Sequence, residues 1–193
     1  MSRVAIGIFV GGQGTRMGGV AKGLLRAPNG TQTLIERLLE QCAQAAPSAA
    51  LFLVGKSAAY SALGVPRLPD DPEGIGPLGG LRALLLRAQA EHSELALALA
   101  CDLPFLDAAV ISTLISPLAG AARVPFVEGR LQPLAAAYAP TATLSAVDHS
   151  VALGNYALMH VLERLGSALE RVEFSSEFAH SLRDWDTPED IQR

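Results

Sequence analysis

Between residues 11 and 22 the chain reads Gly11-Gly12-Gln13-Gly14-Thr15-Arg16-Met17-Gly18-Gly19-Val20-Ala21-Lys22. Clustered glycines after an apolar run let the backbone approach a ligand closely and turn successive N–H groups toward an anion. Arg16 can grip phosphate oxygens as a fork, and Lys22 adds a mobile point charge. A glycine loop alone is a common surface turn, but two cations inside this one turn the reading toward phosphate. Two familiar phosphate loops fail on spacing. A dinucleotide fingerprint counted from Gly12 needs a glycine where Met17 stands, and Gly55-Lys56-Ser57 would complete a Walker loop only with a glycine in place of Ala50. Lys56 is therefore read as a solvated loop lysine.

Asp102 ends the run Leu95-Ala-Leu-Ala-Leu-Ala-Cys101. An unpaired carboxylate buried there would be costly. It is either a helix cap or loop brace, or a ligand for Mg²⁺, which keeps several waters and takes one or two carboxylates plus substrate phosphates. Beside a phosphate loop the metal reading gains. A third segment runs from Asp70 through Pro77 to Gly79 and Gly80. Asp70 could accept hydrogen bonds from a base or ribose, and the two glycines allow close approach at a helix start. Taken alone, this segment reads as a turn with helix capping. The histidines 92, 149, 160 and 180 lack metal-ligand spacing, and no serine sits in a Gly-x-Ser-x-Gly elbow. Trp185 reads as a core anchor before it reads as a base-stacking ring.

The elements that must position these groups alternate short apolar runs with helical patterns. Val4–Val10 reads as a strand buried on both faces. Thr33-x-x-Glu36 is a capping box ahead of Leu34, Ile35, Leu38 and Leu39 at helical spacing. Leu51–Val54, Val65–Leu68 and Leu95–Cys101 read as strands, and Leu78–Ala90 and Asp107–Ile115 as helices. Ala121–Val127 and Leu131–Tyr138 flank Glu128-Gly129-Arg130 as a hairpin, and helical stretches run from about Thr141 to Leu165. This alternation predicts an α/β fold with a mostly parallel sheet covered on both faces. Ligands of such sheets bind outside the carboxyl ends of the strands. That rule puts Gly11, Asp70 and Asp102 along one edge.

The bulk numbers agree. At 193 residues, half apolar and 18% charged, the chain can build the core of a single domain spanning residues 1–193. A net charge of −4 with no basic stripe argues against nucleic acid. No apolar stretch reaches the length of a membrane span. Two cysteines, Cys42 and Cys101, make neither a disulfide framework nor a four-ligand metal site. They read as buried thiols of a soluble protein in a reducing compartment, the cytoplasm.

Together these segments resemble the molybdenum cofactor guanylyltransferases, the MobA family. Phe9 to Leu25 is similar to that family's Leu-Ala-Gly-Gly…Arg-Met-Gly…Asp-Lys…Leu-Leu signature. Gly76-Pro77-Leu78-Gly79-Gly80, Cys101-Asp102-Leu103-Pro104 and Thr187-Pro188-Glu189-Asp190 follow in the family's order. The resemblance implies a three-layer Rossmann-like nucleotidyltransferase fold. It also implies GTP and Mg²⁺ meeting molybdopterin, with molybdoenzyme-maturation proteins as partners. On it, Phe9, Val10 and Gly11 would line guanine and ribose, with Gly12, Gly14 and Gly79 beside the nucleotide. Asp70 would match the family aspartate, and Asp102 the magnesium ligand. Arg16, Lys22 and Asp102 would carry catalysis. Three departures stand out: Ala21 replaces an aspartate before the lysine, no asparagine follows the second strand near Val54 or Gly55, and Asp184 and Asp186 replace tail asparagines. A CTP-dependent cytidylyltransferase, a sugar-phosphate nucleotidyltransferase and a non-catalytic nucleotide-binding regulator remain open beside guanylyl transfer.

Overall fold

Two strands at the centre of the sheet, β1 (Val4–Phe9) and β4 (Leu95–Ala100), run parallel with Val4 opposite Leu95 and Phe9 opposite Ala100. A strand buried on both faces has no polar alternation to show. Here the alternation is one of size. Ile6, Ile8, Leu97 and Leu99 enter one apolar cluster, whereas Ala5, Ala96 and Ala98 enter the other. The larger side chains meet α1 (Leu34–Ala45) and α3 (Ala108–Leu114) through Ile35, Leu38, Val110 and Ile111. The alanine face admits α2 (Pro77–Ala90), which buries Leu78, Leu81, Leu84 and Leu85. Val147 of α4 (Pro140–Ala152) and Val161 and Leu162 of α5 (Leu158–Leu165) extend that layer. Helices therefore cover both faces, as the alternating pattern predicts. This computed structural model describes residues 3–11, 21–28, 30–173, 176–185 and 190 (176 and 177 by backbone alone).

Among the described residues the sheet has eight strands. Its order is β3 (Arg67–Leu68), β2 (Ala50–Val54), β1, β4, β7 (Ala135–Tyr138), β5 (Ala122–Val127) and β6 (Arg130–Leu131), with β8 (Leu169–Glu173) on β5. From β3 to β4 every pairing is parallel. Strand β7 is antiparallel to β4 and β5, and β8 is parallel to β5. The parallel half thus ends its strands on one edge, where open α/β sheets bind ligands.

Local signals explain the boundaries. Thr33 and Glu36 form the reciprocal capping box at the start of α1, and the Asp107 carboxylate accepts from Val110 N–H to cap α3. The hairpin turns at Glu128 and Gly129, both with positive φ. Its return strand differs from the single run 131–138. It stops after Leu131, because Pro133 cannot donate to a ladder, and restarts as β7 between β4 and β5. Gly154 (φ +67°) separates α4 from α5. Strand β8 is not evident in the sequence: Leu-Glu-Arg-Val-Glu is short, largely polar and follows a helix. A short α6 (Ser176–Ser181) completes the described elements.

Candidate active site

Three strand ends lie side by side at the carboxyl edge of the parallel half. Val10 N–H donates to Val54 carbonyl at 3.0 Å, and Cys101 N–H donates to Phe9 carbonyl at 3.2 Å. They open onto a cleft of about 820 Å³, lined among others by Phe9, Val10, Gly11, Lys22, Asp70 and Asp102. Cavities of this size lie at the upper end of small-molecule sites. Gly12, Gly14 and Arg16, the other residues read as phosphate or catalytic groups, lie outside the described residues, as does Asp186.

The chemical centre of the cleft is an ion pair between residues 80 positions apart: Lys22 Nζ donates to Asp102 Oδ2 at 2.8 Å. Their side chains are 19% and 16% exposed. Such a pair is desolvated enough for its charges to act strongly, yet it stays open to a ligand. Lys22 begins a 3-10 turn (Lys22–Leu24). Asp102 follows β4 directly, and its backbone carbonyl accepts Trp185 N–H at 3.0 Å. Trp185 packs with Ala27 and Leu34 and meets Phe105 edge to face at 6.3 Å. It is a core anchor that ties the C-terminal segment to the Asp102 loop. Asp184, beside it, lines the cleft.

Asp70 is half-buried and also lines the cleft. Burial, then the charge of Glu73, push its carboxyl above the ordinary aspartate range, with Lys56 opposing. Lys56 is exposed and paired with Glu73 at 2.6 Å, a solvated loop lysine as its failed motif suggests. The Asp70 loop is fixed from behind. Arg82 of α2 donates to Asp71 at 2.6 Å and to Asp148 of α4 at 2.7 Å, and Asp71 N–H donates to Gly79 carbonyl at 3.0 Å. The close approach expected at Gly79 and Gly80 is made within the protein. A Cβ at Gly79 would collide with the Pro72 carbonyl oxygen, and one at Gly80 would lie 2.7 Å from Val54 and 2.8 Å from Phe9. The cleft at the start of α2 is lined instead by Gly76 and Pro77.

Gly55 gives a physical reason for the missing asparagine. Its φ is +100°, and a Cβ there would sit 3.1 Å from the backbone of Gly11. Any side chain would press on the strand end that lines the cleft. Nearby, Ser57 and Tyr60 line the cleft, as does Gln132 between β6 and β7. The sequence marks Ser57 only as the end of a failed Walker pattern and singles out neither Tyr60 nor Gln132, since each lies in irregular backbone without periodicity. Burial, then the charge of Asp102, push the Cys101 thiol up to about 12. Burial of this kind disfavours the reactive thiolate. Cys42, in α1, is likewise buried and pushed up to about 12.

The donor set suits a hard cation. Asp102 and Asp184 both line the cleft, and no group of three or more metal-ligating side chains occurs among the described residues. One or two carboxylates, completed by substrate phosphate oxygens, are what Mg²⁺ takes. Among the described residues no helix is long and apolar enough to cross a membrane.

Known proteins match this arrangement over most of its length. A family model described as a MobA-like NTP transferase domain matches residues 6–172. Molybdenum cofactor guanylyltransferase of Cereibacter sphaeroides is 29% identical over 187 residues, covering 96% of this chain and 92% of that protein. The protein of the same name from Acidiphilium cryptum is 32% identical over 142 residues, covering 73% and 69%. In structure, the chain is similar to molybdopterin-guanine dinucleotide biosynthesis protein A from Archaeoglobus fulgidus. The TM-score is 0.74 at 21% identity, covering 98% and 95% of the two chains. That likeness is one of fold.

Proposed function

The chain belongs to the MobA-like NTP transferase family and is a nucleotidyltransferase, and from that premise we propose that it transfers GMP from GTP to molybdopterin. An oxygen of the acceptor's terminal phosphate forms a bond to the α-phosphorus of GTP. The bond from that phosphorus to the bridging oxygen breaks, and pyrophosphate leaves with the electron pair. Such a transfer needs positioning and charge neutralisation more than a covalent nucleophile. The protonated Cys101 thiol is in keeping with this.

One observation carries the reading: Lys22 and Asp102 meet at 2.8 Å inside a cleft of about 820 Å³. Lys22 binds the triphosphate and offsets charge developing on the leaving pyrophosphate, with Arg16 and the amides of Gly12 and Gly14 assisting. Phe9, Val10 and Gly11 form the wall against base and ribose, and Asp70 accepts hydrogen bonds there. Asp102, with Asp184 on the same cleft, would hold Mg²⁺, which would supply charge neutralisation at the substrate phosphates. The sheet that runs unbroken from β3 to β6 supports reading the chain as one domain. A cytoplasmic location fits the free buried cysteines and the supply of GTP.

The base is tested by thermal stabilisation with the four triphosphates in Mg²⁺. Ligand at ~100 times its Kd stabilises by about 2.7 kcal/mol. GTP is expected to give the largest shift. A larger shift with CTP would favour a cytidylyltransferase, and no shift with any triphosphate would contradict the proposal.

A further inference from the structure

We infer that Tyr60 is a positioning residue for Lys22, its hydroxyl supplying the cap that the turn carrying the lysine lacks. The inference rests on Lys22 being a triphosphate contact. Lys22 opens a 3-10 turn whose N-cap, Ala21, makes no side-chain hydrogen bond. The first amides of a helical turn have no partner within it, and a Ser, Thr or Asp at the cap normally supplies one. Alanine cannot. The Tyr60 hydroxyl does so from 37 residues further on, accepting Gly23 N–H at 3.1 Å.

Tyr60 is suited to this. It lies in the irregular 3-10 stretch Ala58–Leu63 after β2, is only 3% exposed, and lines the cleft beside Lys22. The contact has no slack: a Cβ at Gly23 would lie 2.9 Å from the Tyr60 hydroxyl and 3.0 Å from its ring. The same hydroxyl interacts with Cys101. That oxygen thus holds the residue directly after Lys22 from a separate part of the cleft wall.

The test titrates GTP with Mg²⁺ calorimetrically into the wild type, Tyr60→Phe, Lys22→Ala, the double variant, and Tyr60→Phe combined with Ala21→Ser. Phenylalanine keeps the ring and its packing, so the variant should fold, less stable only by the loss of one buried hydrogen bond. Kd should rise about 3- to 10-fold, the scale of one neutral hydrogen bond. In the Lys22→Ala background the same change should add nothing, and the serine cap should restore most of the affinity. Should Tyr60→Phe not fold, Gly23→Ala disturbs the contact from the other side and should weaken binding to a similar degree. An unchanged Kd, or losses that multiply in the double variant, would overturn the inference while leaving the lysine's role intact. If Lys22→Ala itself binds normally, the phosphate reading fails and this inference falls with it.

Discussion

The ion pairs Lys22–Asp102 and Arg123–Glu170 are similarly shielded, with side chains 19% and 16% exposed in one and 12% and 29% in the other. They lie at opposite ends of the sheet. Arg123 neighbours Ala122, which pairs with Tyr138, which in turn pairs with Ala96 at the start of β4. Asp102 follows the end of that strand. Arg123 also donates to the carbonyls of Ser116 at 2.7 Å and Pro117 at 2.8 Å. Glu170 accepts the amides of Ala119 at 2.7 Å and Gly120 at 2.9 Å. That pair binds β8 to the loop before β5, and its hydrogen-bonding capacity is spent inside the fold. Lys22–Asp102 faces a cleft of about 820 Å³. Burial alone does not tell a structural ion pair from a functional one; the surroundings of its remaining lone pairs and protons do.

Breaking each pair should separate the two roles. Asp102→Ala should lower turnover at least ~10²-fold, the scale of losing one strong electrostatic contact at a reacting phosphate. Pyrophosphate release in saturating Mg²⁺ measures this, and near-normal turnover would remove Asp102 from the mechanism. Arg123→Ala should instead cost ~1–3 kcal/mol of stability, because it strands the partly buried Glu170. A denaturant midpoint reads that loss, and an unchanged midpoint would show the network to be dispensable.

The smallest effect is pH dependence. Burial alone would raise the Glu170 carboxyl. The amides of Gly120 and Ala119 and the Arg123 charge outweigh it and hold the group below the ordinary glutamate range. Its folded pKa is depressed, so the unfolded chain binds the proton more readily. The stability it contributes is present above the ordinary glutamate pKa and is lost as pH falls through the depressed value. Glu170→Gln should flatten stability against pH in that acid window. An identical acid profile would assign the effect elsewhere.

Local chemistry was legible in the sequence; chemistry made by long-range contact was not. The Thr33–Glu36 capping box, the helix starting near Asp107 and the strands read over Val4–Val10 and Leu95–Cys101, which the structure ends one residue earlier, follow from neighbours within a few residues. Lys22 and Asp102 could each be marked by type and position, but their pairing spans 80 residues and is made by the fold. Tyr60 is silent in the sequence because its hydroxyl meets Gly23, 37 residues away, only in the fold. The packing role of Gly79 and Gly80 depends on Pro72, Val54 and Phe9, which adjacency in the chain does not reveal. Strand β8 exists because β5 offers it an edge.

The sharpest single measurement compares GTP affinity, with Mg²⁺, by calorimetry for the wild type, Lys22→Ala and Arg123→Ala. The lysine variant should bind ~10- to 100-fold more weakly, as expected for a lost charge-assisted contact, and the arginine variant should bind like the wild type while folded. Equal affinity in all three, or equal loss in both variants, would contradict a triphosphate held at the Lys22–Asp102 pair.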